Sequence, residues 1–267
     1  MMKKSVSENS KKKLLSFAAG LFLFGIACYQ LMNIGAEYQQ ERDVYARFQD
    51  AADDDNDSNS RRQAAKKQAD NSSEFDYRKF QIDFDKLKKI NEDIIGWIRF
   101  DKNGINYPVL QGKDNEEYLN ILPDKTKNAA GSIFMDYMCS SDFMDSHTIL
   151  YGHNMKNLSM FGKLKQYRTI DGYYEKNRYF TIYVPDQIYR YEIFAWYEVG
   201  VEDGVYQVGF TDEEAFGTFV DQMLERRYQD TDVSADQQDK IVTLSTCSTT
   251  GKRFVVHGKL IGAIEGT

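Results

Sequence analysis

The chain has 267 residues, which is enough for one medium-sized domain with additional segments. Its net charge of -7 and its calculated pI of about 5.2 argue against a general nucleic-acid-binding protein. The three cysteines have neither the spacing of a metal site nor the even number of a disulfide framework. Motifs of phosphate loops, zinc proteases and serine hydrolases are absent, and the acidic residues show no calcium-loop pattern. We therefore expect neither a metal nor a cofactor.

The first 36 residues have the pattern of a membrane anchor. Five lysines lie within the basic tail 1–13, and residues 14–36 carry no charge over a length that can span a hydrocarbon core of ~30 Å. Because lysines stay on the cytoplasmic side, we expect a single-pass protein of the cell membrane, with its domain on the extracellular face. A cleaved signal peptide is less favoured, because the sequence has no convincing A-x-A cleavage site. A lipoprotein signal ending at Cys28 is weakened by Gly25, where leucine is usual.

Residues 37–77 predict an extracellular stalk between this anchor and a folded domain at 78–267. The stalk is rich in charged residues, Gln and Ala, and it has few apolar residues after Phe48. Residues 37–52 are suited to a helix that continues out of the membrane, whereas the acidic stretch 53–60 indicates disorder. We interpret the whole segment as a plain spacer.

The domain sequence is dominated by short strand patterns. A helix comes first, with Asp83 as its N-cap, Asn91 at its end, and Leu87 and Ile90 facing inward. Helical turns are expected at 116–122 and 161–167. Eight strands are predicted, at 94–100, 105–110, 131–135, 148–151, 179–184, 189–197, 240–245 and 254–264. Many short strands separated by turns favour a mainly β fold, a closed or nearly closed barrel.

One longer helix is predicted before the seventh strand, over residues 211–228. It begins with the capping box Thr211-x-x-Glu214 and has acidic residues in its first turn and arginines in its last. Its apolar residues recur at i, i+3 and i+4, which is typical of a helix face packed on a core. We therefore interpret this face as core packing.

The residues with the clearest chemistry join the last two strands. Cys247 ends one strand and Arg253 begins the next, so a tight turn through 248–252 brings a thiol close to a guanidinium. A nearby cation favours the nucleophilic thiolate, and a guanidinium can hold a developing oxyanion. A half-buried cysteine beside a solvated arginine is the structural alternative, since free cysteines are often ordinary core residues.

A general base would come from one of the three histidines. His257 lies inside the last strand, where a histidine is more often structural. His153 follows the end of the fourth strand, beside a glycine, which is a typical place for a site residue. His147 opens the same strand and forms a rival pair with Cys139, but no cation lies within four residues of that cysteine. The chemistry favours the set Cys247, His153 and Arg253.

These motifs resemble the sortase family. They are the stretch TLSTC at 243–247, the arginine that opens the next strand, and YGH at 151–153. The segments 95–98, 105–115 and 131–137 resemble class B sortases in particular, and the likeness runs from about 80 to 264 in the family's order. One departure is the short turn 248–252, where many class B enzymes carry a longer insertion, so contacts made by that loop cannot be transferred.

The resemblance implies an eight-stranded sortase-type β-barrel with an N-terminal helix and a helix in the loop before the cysteine strand. It also implies a membrane-anchored cysteine transpeptidase. In such an enzyme Cys247 forms a thioester with the substrate, His153 transfers protons and Arg253 stabilises the oxyanion.

The partners that the resemblance implies are secreted proteins with a C-terminal sorting signal, cleaved after threonine, and an acceptor amine. The amine belongs to a peptidoglycan precursor or cross-bridge, or to a pilin lysine. Asn115, Leu119 and Ser245 match the family's substrate-binding positions. Each has a structural alternative: a turn cap, a core residue and a strand residue, respectively.

Two further functions stay open from the sequence. One is an extracellular, membrane-anchored cysteine protease that uses the same residues with water as the acceptor. The other is a catalytically silent surface-binding domain.

Overall fold

Eight strands form a closed barrel in the order β1-β2-β3-β4-β7-β8-β6-β5, which confirms the predicted fold class. The computed structural model describes residues 3–52, 76–248 and 251–266. The strands are β1 Ile94–Phe100, β2 Asn106–Leu110, β3 Ile133–Met135, β4 His147–Tyr151, β5 Tyr179–Val184, β6 Gln187–Gly200, β7 Ile241–Cys247 and β8 Lys252–Glu265.

Two of the strand pairs, β2–β3 and β4–β7, are parallel, and the others are antiparallel. Because β4 and β7 are parallel, their C-terminal ends meet at the same end of the barrel. β8 is antiparallel to β7, so its first residues lie at that end too. The barrel interior is filled by large apolar side chains. They include Phe180, Tyr191, Trp196, Leu244 and Val256.

The N-terminal residues form a helix, α1, Lys3–Ala52. By its contacts the chain divides into two units, Met1–Asp43 and Val44–Thr267. Among the described residues, α1 is the helix that is long and apolar enough to cross a membrane by length and composition. The large apolar side chains that the structure describes between Leu14 and Ile34 are exposed.

The last turns of α1 belong to the barrel unit. Val44, Tyr45, Phe48 and Ala52 are buried in its core, and the Tyr45 hydroxyl donates to the Gly131 carbonyl over 2.8 Å. Their spacing places them on one face of the helix. The composition predicts a stalk over residues 37–77. The folded unit nevertheless includes the end of α1, because these four apolar side chains pack in its core. The expectation for the segment 53–60 lies outside the described residues.

The helix α2, Phe84–Ile90, begins after its predicted N-cap: the Asp83 carboxylate accepts from the Lys86 amide over 2.8 Å. Leu87 is buried, but the expectation that Ile90 faces inward is wrong, since 46% of its surface is exposed. Phe84 takes the inward position, three residues before Leu87, because the chain leaves the helix after Ile90.

Two short helices, α3 (Gln166–Thr169) and α4 (Tyr173–Lys176), follow a 3₁₀ turn at Gly162–Lys165. The long helix α5 spans Glu213–Arg226 and its N-cap is Asp212, whose carboxylate accepts from the Ala215 amide over 2.7 Å. The predicted cap at Thr211 is therefore one residue early: aspartate is at least as good a cap and also suits the positive helix end. The buried face of α5 packs against β6, β7 and β8 in a second core cluster.

Candidate active site

The strand register places a thiol, an imidazole and a guanidinium at one end of the barrel. Cys247, the last residue of β7, lies opposite Arg253 on β8. On the other side of β7, Tyr151 at the end of β4 lies opposite Ser245. His153 follows two residues after Tyr151, which brings it to the level of the thiol. The three functional groups thus come from three neighbouring strand ends.

The His153 ring bridges the thiol and a backbone carbonyl. Its Nε2 lies 2.6 Å from the Leu119 carbonyl oxygen. A carbonyl can only accept, so Nε2 is protonated, and the other ring nitrogen is left to exchange a proton with sulfur. The ring also makes a hydrogen bond with the Cys247 side chain. The backbone of the 117–119 turn therefore orients the ring for proton transfer.

The electrostatics of this pair favour its charged form. The hydrogen bond with Cys247 raises the pKa of His153, against the opposing effects of burial and of the Arg253 charge. The same hydrogen bond lowers the pKa of Cys247, where burial opposes the shift and the charges of Arg253 and Lys165 support it. Both directions increase the population of thiolate beside imidazolium, which is the nucleophilic state.

Arg253 keeps most of its donors available. Its Nη1 donates to the Lys252 carbonyl over 3.3 Å. Within the part of the chain that the structure describes, no carboxylate lies at ion-pair distance from its guanidinium. The side chain is half-buried and reaches the same groove as the thiol. Since a guanidinium has five donors in a planar fork, the remaining N–H groups can bind a ligand oxygen.

These side chains lie in a groove of about 590 Å³. All six residues that the sequence singled out line it: Asn115, Leu119, His153, Ser245, Cys247 and Arg253. The segment Val201–Asp203, after β6, forms one wall, and the hydroxyl of Tyr206 projects from the same connection. Such a groove is open enough to take an extended peptide beside an exposed thiol.

The Asn115 amide is held in one orientation. Its Nδ2 donates to Asp136 over 2.8 Å, and its Oδ1 accepts from the Tyr137 amide over 3.0 Å. The turn cap that was the structural alternative for Asn115 is instead Asp114, which accepts from two amides at 2.9 and 3.0 Å. One Asn115 N–H remains for another acceptor.

The structural alternatives are also incomplete for the other two positions: Leu119 is more than a core residue, and Ser245 is more than a strand residue. The Leu119 side chain is only partly buried at the groove, while its carbonyl holds His153. Ser245 is buried in β7, and its hydroxyl lies 3.0 Å from that of Tyr206. Both positions face the groove, so both are placed to contact a bound chain.

Among the groove residues that were not identified as site residues from the sequence, three are connected through Tyr151. Tyr151 donates to the Asp136 carboxylate over 2.9 Å, and its ring stacks on Tyr206 with centroids 6.2 Å apart. Tyr151 belongs to the YGH stretch, which could have indicated it. Asp136 and Tyr206 come from irregular connections, where no periodicity marks a side chain as facing a site.

The other two histidines form a buried chain away from the thiol. His147 Nδ1 donates to the Gln207 carbonyl over 2.7 Å, and its Nε2 lies 2.7 Å from the Thr243 hydroxyl. That hydroxyl lies 2.8 Å from Nδ1 of His257. Burial lowers the pKa of His147 to about 4 and also lowers that of His257. Both rings are therefore neutral at physiological pH.

The rival pair of Cys139 and His147 is not assembled. The Cys139 thiol lies 3.8 Å from the backbone carbonyl of His147 rather than from its ring. Burial raises the pKa of Cys139 to about 12, so its thiol stays protonated. Among the residues that the structure describes, no group of three or more metal-ligating side chains is found.

Known proteins with similar sequences and structures share this arrangement of strands. The family model of the sortase domain matches residues 98–261. Sortase B of Staphylococcus aureus (strain NCTC 8325 / PS 47) is 36% identical over 182 residues, covering 67% of this chain and 74% of that protein. Sortase B of Listeria monocytogenes serovar 1/2a (strain ATCC BAA-679 / EGD-e) is 36% identical over 179 residues, covering 66% and 72%. The structure of a Staphylococcus aureus sortase B–substrate complex superposes with a TM-score of 0.69 at 32% identity, covering 85% of this chain and 98% of that one.

Proposed function

The chain belongs to the sortase family, class B, and we propose that it cleaves a C-terminal sorting signal after threonine and transfers the acyl group to an amine of peptidoglycan. The observation that carries this proposal is the meeting of Cys247, His153 and Arg253 at one end of a peptide-sized groove. The pKa directions in that site add support, because they favour a thiolate beside an imidazolium.

In the first half-reaction the Cys247 thiolate attacks the carbonyl carbon of the threonine. The carbonyl oxygen becomes an oxyanion, which the Arg253 fork stabilises. His153 gives its proton to the departing amide nitrogen, the C–N bond breaks, and a thioester remains.

In the second half-reaction an amine attacks the thioester. Neutral His153 takes a proton from that amine, the C–S bond breaks, and sulfur leaves as thiolate. The new amide bond conserves the acyl group, and the thiolate–imidazolium pair is restored.

The population of this pair limits the rate. With ordinary pKa values, the thiolate beside an imidazolium would be about 1% of the enzyme near pH 7. The opposite shifts of Cys247 and His153 raise this fraction. Turnover is still slow if neutral thiol beside neutral imidazole remains the major form.

The groove supports binding of an extended sorting signal. Asn115 offers an oriented amide, Leu119 an apolar contact, and Ser245 a hydroxyl that shares its hydrogen bond with Tyr206. We assign these as substrate-binding residues, with Arg253 nearest the reacting carbonyl. A pilin lysine is an acceptor of the same chemistry as a peptidoglycan amine.

We infer the cellular setting from α1. Its exposed apolar side chains and the lysines before them support a single-pass anchor in the cell membrane, with residues 78–267 on the extracellular face. There the enzyme meets secreted proteins and the cell wall.

A product assay tests the proposal. The detergent-solubilised full chain is incubated with peptides that carry threonine at the cleavage position, with and without an oligoglycine or stem-peptide amine, and products are identified by mass spectrometry. We expect an amide-linked product that requires the amine. Release of free acid alone would identify a protease that uses water. No cleavage by the wild-type chain, and no difference between it and Cys247→Ala, would identify a binding domain.

A further inference from the structure

The turn after the catalytic cysteine is tied to a carboxylate on another strand. Ser248, the residue that follows Cys247, donates its hydroxyl to Oε1 of Glu198 on β6. The other carboxylate oxygen lies 2.6 Å from the guanidinium of Arg168 in α3. The Ser248 amide also donates to the Lys252 carbonyl over 3.1 Å, which closes the turn. One carboxylate thus links the turn to β6 and to α3.

This carboxylate is shielded and charged. The Glu198 side chain is only 16% exposed, compared with 41% for Arg168. The hydrogen bond from Ser248, followed by the charge and hydrogen bond of Arg168, lowers the pKa of Glu198. A hydroxyl held by a charged carboxylate makes a stronger bond than a neutral pair would. Ser248 is therefore firmly held at the point where β7 ends.

The strand register places this contact at the level of the reacting groups. On β8, Phe254 lies opposite Glu198, and the neighbouring Arg253 lies opposite both Val199 on β6 and Cys247 on β7. The connection from Cys247 to Arg253 is short. A displacement of Ser248 would consequently move the thiol and the guanidinium relative to each other.

We propose that Glu198 and Ser248 are positioning residues that hold the Cys247–Arg253 turn in the geometry required for acylation. Neither belongs to the residues that line the groove in the described part of the chain, so they act through the turn rather than on the substrate. The turn is short, and the Glu198 carboxylate on β6 holds it in place through Ser248. We call this contact the brace. This inference rests on the proposed function, because acylation of the thiol is the step that the brace serves.

Four variants test the brace: Ser248→Ala, Ser248→Thr, Glu198→Ala and the double variant Ser248→Ala/Glu198→Ala. The readout is release of the C-terminal fragment, which needs no acceptor amine. We expect each alanine variant to lose about tenfold in kcat/KM, mainly through kcat, as is typical when a positioned group is misplaced. Ser248→Thr keeps the hydroxyl and should retain most of the activity.

Coupling and reactivity distinguish positioning from general destabilisation. If both residues act through one contact, the double variant should be no slower than the slower single variant. Alkylation of Cys247 by iodoacetamide should stay within about threefold of the wild type, because that reaction forms no oxyanion. Asp239→Asn is a matched control: it removes the carboxylate paired with Lys259 near the opposite end of β7 and should leave both rates unchanged.

Several results would overturn the inference. Unchanged kcat/KM in both single variants would show that the brace has no role in the reaction. Multiplying losses in the double variant would show that the two residues act independently. Parallel losses of fragment release and alkylation would indicate a disturbed fold. A wild-type chain that cleaves no threonine peptide would instead refute the proposed function, so the two failures are distinct.

Discussion

Replacing Arg253 by lysine separates the two roles that a cation can have beside Cys247. A lysine keeps the unit charge that helps to lower the pKa of the thiol. It does not keep the planar fork, because an ammonium is a point donor on a flexible stem. If Arg253 acts only through its charge, Arg253→Lys should be nearly as active as the wild type. If it holds the oxyanion through the fork, activity should collapse.

The structure favours the second outcome. Arg253 lies directly opposite Cys247 on the paired strands. Its guanidinium donates to the backbone carbonyl of Lys252, the preceding residue, over 3.3 Å. Its other donors can therefore bind the oxygen of the scissile carbonyl. Loss of one oxyanion donor usually costs ~10²–10³ in rate, or roughly 3–4 kcal/mol. We expect Arg253→Lys to lose at least ~10²-fold in kcat/KM.

Two rates measured on one purified variant decide between these roles. The first is kcat/KM for fragment release from a threonine peptide, and the second is alkylation of Cys247 by iodoacetamide at the same pH. The expected result is a large loss of the first rate and a small change in the second, since alkylation builds no oxyanion. Parallel losses would mean that Arg253 acts mainly by setting the thiolate population, and the oxyanion assignment would be refuted.

Three other predictions concern the base, the buried histidines and topology. His153→Ala should abolish transfer and raise the apparent pKa of Cys247 in an alkylation–pH profile, because the hydrogen bond that lowers this pKa is lost; an unchanged profile would contradict the assignment. His147→Ala and His257→Ala should keep most of the transfer activity. Because burial lowers the pKa of His147 from 6.5 to about 4, the unfolded chain binds a proton first, and the free energy of unfolding should fall by roughly 3 kcal/mol between pH 6.5 and pH 4. Denaturant titrations that give the same pH slope with and without His147 would contradict this expectation. External protease should release the domain from intact protoplasts, whereas a protected domain or a mature N-terminus at Cys28 would contradict the proposed anchor.

The parts of the site that follow from local pairing could be predicted from sequence. Cys247 and Arg253 end up opposite each other because two consecutive strands joined by a short turn must pair. His153 could be selected because it stands just past a strand end. The register that brings it to Cys247, however, comes from parallel pairing of β4 with β7 across a long stretch of intervening chain. No local pattern specifies such a pairing.

The contacts that tune the site come mostly from irregular connections. The carbonyl that orients His153 belongs to Leu119, in a 3₁₀ turn, and Tyr206 comes from the connection between β6 and α5. Backbone carbonyls carry no sequence signal, and an irregular connection has no periodicity from which a side-chain direction can be inferred. The misplaced cap at Thr211 has a similar origin, since Thr211 and Asp212 are both good N-caps and no local pattern decides between them.

The three histidines show how position in the barrel decides acid–base chemistry. His147, the first residue of β4, contacts Phe219 of α5, and His257 in β8 contacts Phe194 and Tyr197 of β6; burial keeps both rings neutral. His153 lies beyond its strand, where a backbone carbonyl and a thiol can both reach its ring. Because both contacts favour the imidazolium, a side chain that is structural when it is buried under neighbouring elements becomes suited to proton transfer in the groove. Burial and contacts, rather than the residue type alone, thus separate the proposed base from the structural histidines.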